Sequence, residues 1–160
     1  ELARRLGGGD FHKGASVLNE FCQEHGYTST HLGREFLASN PTDDNYTSAS
    51  DCCRLLSDIY SGTMVNADAS ADMLALLKAQ TRTGKIPSGV PSGVETANKT
   101  GELSAGDGLG IVENDIAIVF DKEHPYVLCV LSNNIQNNSS AQETIKKISA
   151  DVYQYMTSRK

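Results

Sequence analysis

The sequence predicts a single α+β domain in which an antiparallel sheet of three strands is flanked by helices. Three runs rich in β-branched and apolar residues have the length and alternation of strands, at Val94–Leu103, Asp115–Phe120 and Tyr126–Leu131. Most other segments repeat apolar residues at helical spacing. At 160 residues the chain is long enough for one hydrophobic core and short for two.

The composition limits the classes of protein to which this chain can belong. Hydrophobic residues make up 39% and charged residues 21%, which is typical of a globular protein and excludes disorder. The net charge is −6, and no basic stripe is present, so we expect no nucleic acid partner. No apolar run approaches the roughly 18 residues of a membrane span, and the sequence shows no targeting segment.

The four cysteines lack the paired, repeated spacing of zinc ligands, and we expect neither a metal nor a cofactor. Cys22 and Cys129 lie in apolar runs and are interpreted as small core residues. A disulfide from Cys22 to Cys52 or Cys53 stays open at this point.

The first third of the chain predicts two helices and a long loop. Glu1–Leu6 reads as the end of a helix closed by Gly7-Gly8-Gly9, and Asp10 caps a second helix over 11–25 that stops at Gly26. The polar stretch Tyr27–Tyr46, with Asn40-Pro41, is longer than a plain connection, which favours a functional or ordered Ω-type loop.

Arg34 is the residue in this loop that could order it. Its guanidinium can pair with the carboxylate of Asp43 or Asp44 and so tie the two ends of the loop together. The alternative is an arginine that is simply solvated.

The middle of the chain predicts two more helices. One runs over Ala49–Tyr60 with Thr47 or Ser48 as its cap, and the other over Asp68–Ala79. The segment Thr83–Gly93, rich in proline and glycine, then leads into the first strand.

The last part of the chain predicts the rest of the sheet and a terminal helix. Residues 104–108 read as a turn, and the almost continuous apolar run Tyr126–Leu131 predicts a strand covered on both faces, so helices should lie on each side of the sheet. Ser139 or Ser140 caps a final helix from Ala141 to about Met156.

The first strand carries the candidate site, Asn98-Lys99-Thr100-Gly101, and we expect it at the edge of the sheet. The ammonium of Lys99 attracts a carboxylate, the hydroxyl of Thr100 can donate to the same group, and Gly101 lets a substrate approach the backbone. The backbone N–H of Glu102 then suits an oxyanion donor. The alternative is an exposed strand end without a ligand.

The order of these elements resembles the C-terminal two-thirds of the class A β-lactamase-like domain, within the penicillin-recognising serine hydrolases. Thr30-His31-Leu32-Gly33-Arg34 looks like that family's entry to its Ω-loop, and Asn98-Lys99-Thr100-Gly101 looks like its third motif. Residues 114–120 and 126–131 resemble its next two strands.

The resemblance implies acyl-enzyme chemistry on β-lactam or peptidoglycan amides, outside the cytoplasm. Lys99 would bind the substrate carboxylate and support proton transfer, with Thr100 and Gly101 as substrate-binding residues and the Glu102 N–H as half of the oxyanion hole. Glu35 lies near the position of the family's general base, but it follows Arg34 directly and no Leu-Asn comes three residues later. It is either that base or a solvated loop glutamate.

Two motifs of the family are absent: the sequence contains neither Ser-x-x-Lys nor Ser-Asp-Asn. We therefore expect a C-terminal fragment that lacks the N-terminal part of the domain, is inactive alone, and exposes an unpaired sheet edge. Such an edge favours self-association, which light scattering tests. The alternative function is a non-catalytic binding or scaffold domain that kept the fold.

The four histidines, His12, His25, His31 and His124, are scattered along the sequence. None has a partner carboxylate at an obvious spacing, so we interpret all four as structural or surface residues.

Overall fold

The computed structural model describes residues 1–38, 42–104 and 110–158. The chain divides into two compact units, Glu1–Asp51 and Cys52–Lys160. The sequence-based expectation of a single domain stays a prediction. The Asn40-Pro41 pair and most of the expected turn at 104–108 lie outside the described residues.

The first unit begins with two packed helices, α1 at Leu2–Leu6 and α2 at Phe11–Glu24. The Asp10 side chain caps α2 as predicted, because it accepts hydrogen bonds from the backbone N–H groups of His12 and Lys13. The helices approach so closely that a Cβ added to Gly14 would lie 1.6 Å from the carbonyl oxygen of Ala3. Glycine at 14 is therefore a packing requirement.

Two amphipathic helices follow, α3 at Ala49–Tyr60 and α4 at Ala67–Lys78. The Oγ of Ser48 accepts from the Asp51 N–H at 3.1 Å, so Ser48 is the cap of α3 among the two candidates. Helix α4 starts one residue before the predicted Asp68, because Asn66 caps it by accepting from the Ala69 N–H at 2.8 Å.

The sheet consists of β1 at Glu95–Leu103, β2 at Val112–Phe120 and β3 at Tyr126–Val130, in the order β1-β2-β3. Both pairs are antiparallel, and the register places Thr100 opposite Asp115 and Ala117 opposite Leu128. This confirms the predicted α+β class with a three-stranded antiparallel sheet. It also places β1 at an edge of the sheet.

Helices lie on both faces of the sheet, but the strand that they bury is β2 rather than β3. Ala117, Ile118 and Val119 are each at most 1% exposed, whereas all five residues of β3 are half-buried. The prediction that helices lie on each side of the sheet is confirmed, but they cover β3 only in part. The reason is position: β3 lies at the other edge of the sheet.

The proline-rich approach to β1 contains a short helix that the sequence did not predict, α5 at Ile86–Gly89. Pro87 lies in its first turn, where proline is tolerated because it removes no intrahelical hydrogen bond. Ile86 is fully buried and joins Ala117, Val119 and Ile145 in the core on this face.

The terminal helix α6 runs over Asn138–Ser158, and it begins earlier than predicted. Asn137 rather than Ser139 or Ser140 supplies a capping oxygen, which accepts from the Ser140 N–H at 2.9 Å. Helix α6 also holds α5, since the buried Ser149 Oγ donates to the Ile86 carbonyl oxygen at 2.8 Å.

No helix within the described part of the chain is both long and apolar enough to cross a membrane.

The contact between α5 and α6 leads to a test of the fold. A Cβ at Gly89 would lie 2.4 Å from the Lys146 carbonyl oxygen, so we expect Gly89→Ala to lower the free energy of unfolding by about 1–3 kcal/mol. Gly84→Ala is the matched control, because a Cβ there meets no atom within 4 Å, and it should stay within about 0.5 kcal/mol of wild type. Urea unfolding measures both, and equal losses in the two variants would contradict the predicted packing role of Gly89.

Candidate active site

The side chains of β1 alternate between the two faces of the sheet, and this alternation separates the residues of the predicted site. Lys99 is exposed on one face, which it shares with the half-buried Gly101, whereas Thr100 is only 6% exposed on the other face. Sequence reasoning expected Lys99 and Thr100 to bind one carboxylate together. Since their side chains leave the strand in opposite directions, both can reach one carboxylate only across the outer edge of β1.

The Lys99 ammonium is held by the backbone. Its Nζ donates a hydrogen bond to the carbonyl oxygen of Thr100, the next residue in the strand. Among the described residues, no carboxylate lies within ion-pair distance of Lys99. Its charge is therefore available to an anion that approaches this face of the strand.

Gly101 is not required by the packing of the described residues. A Cβ there would lie 3.7 Å from the Cβ and Nδ2 of Asn114, an ordinary van der Waals distance. Its φ is also outside the left-handed region. An alanine would therefore fit, which agrees with the expectation that glycine leaves room for something outside the chain.

The side chain of Glu102, which sequence reasoning did not consider, lies between two cations on the buried face. Its carboxylate accepts from Lys85 Nζ at 3.0 Å and from Arg82 Nη1 at 2.7 Å. Burial raises the pKa of Glu102, but hydrogen bonds from Lys85 and Thr100 and the charges of Lys85 and Arg82 outweigh it. The pKa of this carboxyl therefore lies below its ordinary value.

Lys85 is the centre of this arrangement, and its side chain is only 5% exposed. Besides Glu102, its Nζ donates to Glu113 Oε2 at 2.7 Å and to the Asn114 carbonyl oxygen at 2.8 Å. All three donors of the ammonium are therefore used. A buried lysine is stable only with such compensation.

Glu113 connects the cluster to α6. Its side chain is 2% exposed, and its Oε1 accepts from Asn138 Nδ2 and Gln142 Nε2, both at 2.9 Å. Both carboxylate oxygens therefore have hydrogen-bond partners. This one buried carboxylate joins the start of β2 to the first turns of α6.

Asp115 extends the buried cluster toward α5. It accepts from the Ile86 N–H at 2.9 Å and from Asn98 Nδ2 at 3.1 Å. Burial raises the pKa of Asp115, and the hydrogen bonds from Asn98 and Ile86 and the charge of Lys85 offset only part of that rise.

We name Lys85, Glu102, Glu113 and Asp115 the buried charge cluster. It fixes β1, β2, α5 and α6 at one end of the sheet, and sequence reasoning missed all of it except Glu102, which was considered only through its backbone. One signal was present: Glu113 and Asp115 occupy the same face of β2 as the core residues Ala117 and Val119. Acidic residues in the period-2 pattern of a buried strand indicate a buried partner.

The long loop of the first unit contains several side-chain ion pairs. Arg34 Nε lies 2.6 Å from Asp44 Oδ1, so Asp44 is its partner among the two candidates. The hydrogen bond from Arg34 lowers the pKa of Asp44. Asp43 instead contacts His31 Nε2 at 2.9 Å, a pairing that sequence reasoning did not consider and that fits a structural role for His31. The two residues are twelve apart, a spacing that only the fold of the loop makes short.

Glu35 pairs with Arg4 of α1, and its side chain is 48% exposed. Together with Gly33 and Arg34 it lines a surface cavity of about 460 Å³ in the first unit. The cavity is wide enough for a water molecule. However, the Glu35 carboxylate, which would act as the expected general base, is already paired with the guanidinium of Arg4.

Among the described residues, no group of three or more His, Cys, Asp or Glu side chains could hold a metal ion. The four cysteines, all of which are described, form no disulfide.

Comparison with known proteins identifies one family. Residues 10–156 match the model of the "Beta-lactamase enzyme family". "Beta-lactamase 3" of Bacillus cereus is 30% identical over 138 residues, which are 82% of this chain and 42% of that protein.

Solved structures agree with this match. The structure of PBP-A is 25% identical with a TM-score of 0.74, covering 90% of this chain and 52% of that one. A β-lactamase of Sphaerobacter thermophilus DSM 20745 has a TM-score of 0.80 at 21% identity, covering 91% of this chain and 55% of that one. The chain thus spans about half the length of the relatives it matches.

The buried charge cluster predicts how stability depends on pH. Because the folded pKa of Glu102 is lowered, its contribution is complete above its ordinary value of 4.5 and is lost as the pH falls through the folded pKa. We expect the difference in unfolding free energy between wild type and Glu102→Gln to shrink from pH 7 to pH 3. Urea unfolding at a series of pH values measures it, and contributions of carboxyls outside the cluster cancel in the difference.

Glu123→Gln controls for the loss of one negative charge, because Glu123 is an exposed residue outside the cluster. A wild-type minus Glu102→Gln difference that does not change between pH 7 and pH 3 would contradict the role of the cluster.

Proposed function

The chain belongs to the β-lactamase enzyme family, and we propose that it supplies the Lys-Thr-Gly substrate-binding strand of a serine hydrolase acting on β-lactam or peptidoglycan amides. The observation that carries this proposal is Lys99: an exposed ammonium on an edge strand, with no described carboxylate within ion-pair distance. Both classes of substrate carry a carboxylate near the amide that reacts.

Lys99 and its neighbours in β1 have separate roles in substrate binding. Lys99 attracts the substrate carboxylate from one face of β1, and Gly101 leaves space for the substrate backbone beside the strand. The Thr100 hydroxyl lies on the same face of β1 as Glu102 and helps to lower the pKa of that carboxyl. A substrate carboxylate at the strand edge therefore competes with Glu102 for the Thr100 hydroxyl.

The Glu102 N–H is the proposed oxyanion donor, and its position depends on the buried charge cluster. The Glu102 side chain is fixed by Lys85 and Arg82, which limits the movement of its backbone. A donor that is already fixed stabilises the developing oxyanion without reorganisation.

The nucleophile of this mechanism is a serine that the present sequence does not supply in a Ser-x-x-Lys motif. Acylation thus needs residues from an N-terminal part of the domain, which would contribute the serine and its base. Deacylation by Glu35 requires that Arg4 release its carboxylate. We accordingly favour a slow acyl-enzyme of the penicillin-binding type, and we place the protein outside the cytoplasm, as expected from the family.

A non-catalytic scaffold is the second candidate. The absence of Ser-x-x-Lys and Ser-Asp-Asn from the sequence favours it. In that case Lys99, Thr100 and Gly101 bind a carboxylate ligand without any covalent step.

The role of Lys99 is tested by ligand binding to the chain itself. We expect benzylpenicillin and an N-acyl-D-alanyl-D-alanine peptide to shift amide NMR signals of β1, and Lys99→Gln to weaken binding by about tenfold or more, since a charge-assisted hydrogen bond contributes about 1.5–3 kcal/mol. Lys147→Gln on α6 is the control for charge, because Lys147 is exposed and far from β1 in sequence. Equal binding by Lys99→Gln and wild type would reject the proposed site.

The covalent step separates the enzyme from the scaffold. Incubated with benzylpenicillin, the chain alone should gain no acyl mass and release no burst of a chromogenic β-lactam, because it lacks Ser-x-x-Lys. Intact mass spectrometry measures this directly. A protein extended to include both absent motifs should gain one penicillin per molecule if the hydrolase proposal holds, and none if the domain is a scaffold.

A further inference from the structure

Two cysteines of the second unit, Cys53 on α3 and Cys129 on β3, lie outside the proposed substrate site. The Cys53 thiol is close enough to Cys129 to contribute to the raised pKa of the Cys129 thiol, although the two residues are far apart in sequence. Both residues are half-buried, so a reagent in solution can reach each side chain.

The packing of α3 on the sheet independently places the two residues side by side. Ser57 of α3 and Val127 of β3 line the same cavity of about 220 Å³. Cys53 precedes Ser57 by four residues, about 6 Å along a helix, and Cys129 follows Val127 by two residues, about 6.6 Å along a strand. The Tyr60 ring packs against the Phe120 ring, with 6.0 Å between the centroids, and Phe120 directly follows Val119, which lies opposite Tyr126. Helix α3 therefore runs antiparallel to β3, and Cys53 lies across from Cys129.

Cys129 points toward α3 because of its register. It lies opposite Ile116, and Val127 lies opposite Ile118, which lines the cavity beneath α3. Alternation along β3 puts Val127 and Cys129 on that face and Tyr126, Leu128 and Val130 on the α5–α6 face. The cavity beneath Ser57 and Val127 begins one helical turn from Cys53 and two residues from Cys129, which gives the two elements room to adjust to disulfide geometry.

We propose that Cys53 and Cys129 are a disulfide-forming site that links α3 to β3 when the protein meets a low-molecular-weight disulfide such as oxidised glutathione. The two protein thiols lose two protons and two electrons and form one S–S bond. The reagent's S–S bond is split, and the reagent is reduced to two thiols.

The properties of the pair determine how the reaction proceeds. Burial, followed by the influence of the nearby Cys53 thiol, raises the pKa of the Cys129 thiol. Little Cys129 thiolate is present at neutral pH, so the mixed disulfide forms first on Cys53, and Cys129 resolves it slowly. An extracytoplasmic compartment is oxidising and gives such a reaction time.

Peptide mapping tests the linkage. The folded chain is equilibrated with oxidised glutathione, and its intact mass should fall by 2 Da. After alkylation and digestion with trypsin, peptides 35–54 and 123–146 should be recovered as a linked pair. Cys52 lies in the same peptide as Cys53, so variants assign the bond. Cys52→Ser should keep the link, and Cys53→Ser should lose it.

Thermal unfolding supplies a second readout that does not depend on mapping. The cross-link closes a long loop in the unfolded chain, and Tm of the oxidised protein should rise by about 5–15 °C, reversibly on addition of dithiothreitol. Cys53→Ser should show no such rise. A link through Cys52 or Cys22, a lower Tm after oxidation, or no link after equilibration would overturn the proposal.

Discussion

The structure depends most on the buried ammonium of Lys85. Taking an ion out of water costs several kcal/mol even after relaxation, so a lysine that is 5% exposed must be compensated in full. Glu102, Glu113 and the Asn114 carbonyl oxygen provide this compensation at distances of 2.7–3.0 Å. The requirement is directional, because three donors fit only one arrangement of three acceptors. It therefore specifies how β1 and β2 lie against the start of α5.

This cluster also explains how one strand serves two purposes. Alternation along β1 directs Asn98, Thr100 and Glu102 into the buried network and directs Lys99 and Gly101 away from it. The buried residues hold the strand, and Lys99 stays available for a ligand. Because ionic hydrogen bonds hold the strand from the other face, Lys99 itself is not needed for packing.

The long loop of the first unit is organised differently. Its contacts lie at the surface: Arg34 with Asp44, His31 with Asp43, and Glu35 with Arg4. Exposed ion pairs contribute little individually, so the loop is held by several weak contacts and by the close approach of Gly33 to Asp43. Such a loop tolerates exchange of partners, as the proposed release of Glu35 from Arg4 would require.

The sequence by itself determined the fold class, the three strands, most helix boundaries and the family. Periodicity and turn residues are local properties of the chain, and the motif at Asn98–Gly101 is contiguous, so all of these can be read in order. Helix α5 was missed because proline and glycine marked its four residues as loop. The turn is stabilised by tertiary contacts, namely burial of Ile86 and the hydrogen bonds of its backbone to Asp115 and Ser149.

Tertiary structure alone decided which residues meet. Lys85 lies 28 residues from Glu113, and Cys53 is still more distant from Cys129, so no spacing rule connects either pair. It also decided that β2, rather than the more apolar β3, is the buried strand, because burial follows position in the sheet and not composition. The physical reason is common to these cases: sequence patterns record the surroundings of each residue, whereas the identity of its neighbour is fixed only when the elements pack.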